Sequence, residues 1–179
     1  MLYIAFLRGM NVPGRSVKME HLRGLFAELG FDNVRSYIQS GNVFFETADL
    51  DHDSLAYKIR KHLRQALGYD IAVCLRTISE LEHIIELDPF KGIEIKSDMR
   101  TCVVFTTKKI RADLELPLRS PKHDIEIVHT TEYEAFVVWY LIGGKSPAAK
   151  GFQERILGRD ATTRYFDTTC KILTAAKEF

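Results

Sequence analysis

The chain is poor in cysteine, with three in 179 residues: Cys74, Cys102 and Cys170, far apart from one another. The odd count and wide spacing exclude a disulfide framework, and no Cys-x-x-Cys or Cys/His spacing offers a metal site. The three are expected to be buried, reduced thiols, which points to a cytoplasmic protein. Five prolines and 11 glycines are too few for a low-complexity chain. Long apolar runs are missing too. Met1 to Leu7 lacks a basic flank and runs into Arg8, unlike a secretory signal. Ala135 to Ile142 falls far short of the roughly 20 residues that cross a bilayer, so no membrane partner is expected. Nor is there an excess of one charge. Twenty-five Lys+Arg stand against 24 Asp+Glu, a net charge of +1, which gives a polyanion no global attraction.

What is present is a globular composition, 46% hydrophobic and 27% charged, too apolar for disorder. The length suits one domain or two small fused ones. Leu2 to Leu7 reads as a strand apolar on both faces. A loop with Gly9, Pro13 and Gly14 precedes a helix with Met19, Leu22, Leu25, Phe26 and Leu29 on one side, capped by Ser16 and ended by Gly30. Val34 to Gln39 and Asn42 to Glu46 read as a hairpin around a two-residue Ser40-Gly41 turn. Asp53 caps a helix in which Leu55, Ile59, Leu63 and Leu67 recur every four residues, and Ile71 to Leu75 is a further strand. The order is β-α-β-β-α-β, the split-βαβ arrangement.

Thr77 and Glu80 form a capping box for a connecting helix, which Asp88-Pro89 stops. The order then repeats. Thr101 to Phe105 is a strand and Arg111 to Leu116 a short helix. Ile125 to His129 and Glu134 to Ile142 form a hairpin. A helix capped at Ser146 runs to Leu157, Thr162 to Arg164 is a last strand, and a terminal helix starts at Asp167. The expected class is α+β: two ferredoxin-like (βαββαβ) halves with antiparallel sheets plus a C-terminal helix. The division falls at 1–76 and 77–179.

In the two-residue-turn register Gln39 faces Asn42, Tyr37 faces Phe44 and Arg35 faces Glu46, all on one face. On RNA-recognition modules such a face stacks bases on aromatics. The competing reading packs it away, with Arg35–Glu46 as a cross-strand ion pair, because Tyr3, Ala5 and Leu7 are too apolar for an open sheet.

Three places collect polar groups. Arg8 to Lys18 is a strand-to-helix loop with Arg8, Asn11, Arg15 and Lys18, where glycines let backbone N–H groups approach an anion. Gly143-Gly144-Lys145-Ser146 ends like a P-loop, but Trp139 stands where the first glycine belongs. Thr162, Thr163, Arg164, Thr168, Thr169 and Lys171 gather at the last helix, where hydroxyls and a guanidinium suit a carboxylate or phosphate. The six histidines are scattered, without a ligand pair. Ser40 lacks the Gly-x-Ser-x-Gly elbow of a nucleophile. Asp49, Asp51 and Asp53 lack the Gly and Glu of a calcium loop. No catalytic set, metal or cofactor is indicated.

Leu7-Arg8-Gly9-Met10-Asn11-Val12, Tyr37-Ile38-Gln39-Ser40-Gly41-Asn42-Val43 and Ala161-Thr162-Thr163-Arg164 together resemble the bacterial family catalogued as domain of unknown function 1697. That family's first motif runs Leu-Arg-Gly-Ile-Asn-Val-Gly-Gly; Met10 and Pro13 depart from it here. After Thr-Thr-Arg it continues Asn-Trp-Asn-Thr-Val with Lys two residues on; here the run is Tyr165 to Thr169, and Lys171 matches. The resemblance implies two ferredoxin-like halves and no established activity.

Those motifs coincide with two of the three polar places and with the hairpin turn. The expectation is that Arg8, Asn11, Ser40, Asn42, Thr163, Arg164 and Lys171 converge on a small anionic or nucleotide-like ligand in one cleft between the halves, with an enzymatic step left open. Nucleic-acid binding through Tyr37, Phe44 and Arg35, and a protein-interaction module, are the alternatives. Monomer and homodimer both fit. From Lys145 onward seven Lys+Arg face four Asp+Glu, a local excess that suits an anion.

Overall fold

Leu2–Leu7 forms β1, and its neighbours follow from the alternation of its side chains. In this computed structural model, which describes residues 1–178, β1 lies inside a four-stranded antiparallel sheet. The partners are β2 (Asp32–Tyr37), β3 (Asn42–Glu46) and β4 (Val73–Thr77), in the order β2-β3-β1-β4. Helix α1 (Met19–Ala27) connects β1 to β2, and α2 (His52–Leu67) connects β3 to β4. Tyr3, Ala5, Leu7, Val43, Phe45, Val73 and Leu75 point to the helices. They pack with Leu22, Leu25 and Phe26 of α1 and Leu55, Ile59 and Leu63 of α2. Each buried Val, Leu, Ile or Phe side chain among them contributes about 1.5–3 kcal/mol by leaving water. Phe31 stacks on Phe45 at 4.5 Å, closing the end of this core.

The second sheet is also antiparallel. Its strands are β5 (Met99–Phe105), β6 (Leu118–Arg119), β7 (Ile125–Thr130), β8 (Glu134–Tyr140) and β9 (Thr162–Tyr165), in the order β6-β7-β8-β5-β9. Cys102, Val104, Ile125, Ile127, Ala135 and Val137 line one face, with Leu157 of α4 (Phe152–Leu157) and the partly buried Leu116, Leu118 and Ile156 packed there. Helix α3 (Ile78–Glu86) follows β4, and α5 (Phe166–Lys177) ends the described chain. The chain divides into two units. Unit 1 is Met1–Glu82 with the segment from Ile172 onward; unit 2 is His83–Lys171. The divisions fall within α3 and within α5.

The capping box reads true. The backbone N–H of Thr77 donates to Glu80 Oε2 at 2.7 Å, and the Glu80 N–H donates to Thr77 Oγ1 at 3.3 Å. Other local expectations are corrected. Asp51, not Asp53, caps α2: its carboxylate accepts from the N–H groups of Asp53 and Ser54. The alternating acids were one turn-position ambiguous, and the earlier one reaches back over the first turn. Helix α1 begins at Met19 after Lys18, with no side-chain cap, instead of at Ser16. No helix forms over Arg111 to Leu116; this stretch is irregular and leads into β6, since six residues before a proline cannot nucleate one cheaply. The helix expected from Ser146 shrinks to Phe152–Leu157, because Gly151 at φ 93 breaks the backbone before it.

The hairpin is corrected in register, not in face. Tyr37 pairs with Asn42 and Arg35 with Phe44, leaving a four-residue loop over residues 38–41. The slip is by two residues, so the side chains keep their faces. Glu46 lies opposite Asp32, where its carboxylate accepts from Asn33 Nδ2 at 2.7 Å, and Arg35 stands opposite Phe44. Tyr3, Ala5 and Leu7 sit on the helix side. Ile4, Phe6, Asn42, Phe44, Cys74 and Arg76 share the other face, by register, and all six are buried.

Candidate functional site

Three connections meet at one end of the first sheet: residues 8–18 after β1, residues 38–41 between β2 and β3, and residues 68–72 before β4. Backbone bonds tie them together. The Leu7 N–H donates to the Gly41 carbonyl at 2.9 Å, and the Arg8 N–H to the Ala72 carbonyl at 3.0 Å. Asn11 is the clamp. Its Nδ2 donates to the Gln39 carbonyl at 2.6 Å, and its Oδ1 accepts from the Val17 N–H at 2.9 Å. Asn11 holds φ 52, a conformation Asn tolerates better than most residues. One side chain therefore fixes the hairpin tip and the approach to α1.

The close approach needs Gly41. It has φ +75, and a Cβ there would lie 2.7 Å from Met10 Cγ and 3.1 Å from Leu7 Cβ. Asn42 is fully buried and donates to the Tyr37 carbonyl at 3.2 Å and to Ser40 Oγ at 2.8 Å, so it orients the Ser40 hydroxyl. Residues 12–15 close a turn in which the Arg15 N–H donates to the Val12 carbonyl at 2.8 Å. Pro13 followed by Gly14 at φ +82 is the signature of a type II turn. This delivers the Arg15 guanidinium to the ring of Tyr69, 4.5 Å from its centroid. Ile38, at φ +49 and 49% exposed, is a β-branched residue in the left-handed region, a strained conformation at the hairpin tip.

Four of the seven expected residues thus stand at this end of unit 1: Arg8, half-buried; Asn11 and Asn42, as positioning groups; and Ser40. The other three lie in unit 2. Thr163 Oγ1 accepts from Gln153 Nε2 at 2.8 Å, and Gln153 Oε1 accepts from the Trp139 indole at 3.1 Å. Arg164 is buried, and its Nη1 donates to Thr162 Oγ1 and to the Thr163 carbonyl, both at 2.9 Å. Lys171 pairs with Asp167 one turn earlier at 2.7 Å. Each has a local structural partner. At the Gly-Gly turn, Ile142 and Lys145 exchange both backbone bonds at 3.1 Å, and Gly143 and Gly144 both have positive φ, as a type I′ turn requires. Lys145 stands well before α4, not at a helix start.

Phe44 is 3% exposed and Tyr37 half-buried, so Phe44 presents no open ring on which a base could stack. Cys102 is buried, and burial pushes its thiol up to about 12. Cys74 is buried as well, whereas Cys170 is half-buried, short of the full burial expected. Among the described residues no group of three or more His, Cys, Asp or Glu is placed to hold a metal ion. No helix among them is long and apolar enough to cross a membrane. Tyr69 is not legible in the sequence, because its contact with Arg15 joins residues far apart in the chain. Its hydroxyl is buried and finds no hydrogen-bond partner among the described residues.

A family model described as "Protein of unknown function (DUF1697)" matches residues 1–136. No curated protein matches the chain. Among solved structures the fold is similar to that of the conserved bacterial protein SP0830 from Streptococcus pneumoniae. The TM-score is 0.74 and the identity 23%, over 98% of each chain.

Proposed function

The chain belongs to the DUF1697 family of proteins of unknown function, and from that premise we propose that it binds a small anionic ligand at the loop end of unit 1. The observation that carries this is the start of α1: a helix N-terminus without a side-chain cap, preceded in the chain by the exposed Arg15 and Lys18. Unpaired N–H groups and the helix dipole favour an anion there. Arg8 and Arg15 supply charge, Ser40 a hydroxyl, and Asn11 and Asn42 hold the loops that present them. Glu20, in the first turn of α1, competes for the same positive end. Thr163, Arg164 and Lys171 remain in the proposal as a separate contact at the start of α5, which a ligand engages by displacing Gln153 and Asp167.

The proposal extends to architecture. Strand orders β4-β1-β3-β2 and β9-β5-β8-β7 support reading both units as ferredoxin-like, with β6 and its irregular connection in place of the second unit's first helix.

The test is thermal unfolding against a panel of phosphate- and carboxylate-bearing metabolites. A ligand that binds raises the melting temperature in proportion to its occupancy. Arg15→Ala and Arg8→Ala should abolish the rise, and Glu20→Gln should enlarge it. No rise with any anion would overturn the proposal. Binding that falls by orders of magnitude between about 50 and 200 mM salt would mark a polyanion instead.

A further inference from the structure

We infer that Tyr69 is a ligand-contacting residue of this anion site, its phenol hydroxyl donating to an oxyanion of the phosphate class while Arg15 supplies the charge; the inference rests on the anion reading above. Tyr69 stands in the connection between α2 and β4, three residues before Ala72, whose carbonyl receives the Arg8 N–H. It therefore lies at the same end of the sheet as Arg8, Asn11 and Gly41. Gly68, left-handed at φ 80, ends α2 and turns the chain into that position.

Two features of Tyr69 point to a ligand. Its hydroxyl is buried with no partner among the described residues, an arrangement that destabilises the free protein and persists where the group is used. Its ring is covered by the Arg15 guanidinium at 4.5 Å, and Arg15 is itself exposed and carried on a turn that glycine makes adaptable. A guanidinium moving from the ring face to its edge would bring five donors beside the phenol O–H, and the pair would then converge on one tetrahedral anion.

The neighbouring charges favour the same occupant. Asp70, adjacent in sequence, is held by Arg60 through a paired contact from Nε and Nη2. That hydrogen bonding keeps the carboxylate ionised and below the usual range. It is committed to its own cation and offers little repulsion to a ligand. Arg64 contributes further positive potential to this corner.

The experiment uses inorganic phosphate and the full chain. Melting temperature is measured with and without phosphate, at matched ionic strength, for the wild type, Tyr69→Phe and Arg15→Gln. Removing a hydroxyl that has no partner should leave the melting temperature without phosphate unchanged or raised. The same substitution should weaken phosphate binding by about tenfold, the loss of one hydrogen bond to a charged group. Arg15→Gln should remove the phosphate response. If phosphate stabilises the wild type and Tyr69→Phe equally, the role of Tyr69 is refuted while the anion site stands. If Tyr69→Phe lowers the melting temperature without phosphate, the hydroxyl has a structural partner and the inference is overturned. If phosphate stabilises neither wild type nor variants, the phosphate-class site itself fails, and Tyr69 with it.

Discussion

Gly9 and Gly41 share a backbone conformation and differ in the space around them, which makes them a matched pair. Gly9 has φ +72 and Gly41 φ +75, but a Cβ at Gly9 meets nothing within 4 Å, whereas one at Gly41 falls 2.7 Å from Met10 Cγ. Gly9→Ala should therefore lose only the left-handed preference, about 1–2 kcal/mol. Gly41→Ala should lose that and a further 1–3 kcal/mol or so from overpacking, since Met10 is buried and has little room to retreat. For a chain of this size each kcal/mol moves the melting temperature by roughly 2–4 °C. Urea denaturation followed by far-ultraviolet circular dichroism measures both variants. The double variant Met10→Ala/Gly41→Ala completes a cycle, in which Gly41→Ala should cost less once the Met10 side chain is gone. Equal losses for Gly9→Ala and Gly41→Ala, or a cycle with no coupling beyond about 0.5 kcal/mol, would refute the close approach of the hairpin tip to the β1–α1 loop.

Asn11→Ala removes the clamp and leaves the Val17 N–H, on a buried residue, without its acceptor; a loss of about 1–3 kcal/mol is expected, with the Val17 amide exchanging faster than its neighbours in hydrogen-exchange measurements. Asp51 is held below the ordinary carboxylate value of 3.8, first by the Ser54 hydroxyl and then by the Ser54 N–H. Its folded value is the lower one, so its contribution is full above about pH 4 and is lost as pH falls through the depressed value; Asp51→Asn should flatten the acid limb of a stability-against-pH curve, and an unchanged limb would count against the cap. The Cys102 thiol, raised to about 12 by burial, should resist a thiol-specific chromogenic reagent at pH 8 in the folded protein and react at once in denaturant.

The legible part of the fold was the part written in periodicity. The four-residue recurrence of Leu55, Ile59 and Leu63 marked the buried stripe of α2, all three fully buried, and the Thr77–Glu80 box marked the start of α3. Face assignment in the hairpin survived a wrong register because an even slip returns every side chain to its side. The failures came where a short segment is decided by its surroundings. Arg111 to Leu116 has a helix-like composition but no length to nucleate with. Tyr3, Ala5 and Leu7 were placed on the wrong face because β1 is apolar on both, so alternation carried no information. Of the seven motif residues expected together, Arg8, Asn11, Ser40 and Asn42 lie on adjoining connections of unit 1 and the other three lie in unit 2, and their division of labour was not visible. Asn11 and Asn42 spend their amides on carbonyls of other loops, and Tyr69 enters only through the folded chain.

Unit 1 is completed by both ends of the sequence, with Glu82 and Lys177 ion-paired across that join. Unit 2 is therefore an insertion in the chain sense, and synthesis meets the pieces in an awkward order. The first 82 residues leave the ribosome with their helices and four strands, then wait while roughly 90 more residues are made, about 5–20 s at ordinary elongation rates. Only then does the closing stretch of α5, with the buried Ile172 and Ala176, become available. Cutting the gene after Glu82 would yield a unit short of its last segment, whereas joining the segment from Ile172 directly behind Glu82 would restore its membership in one uninterrupted polypeptide.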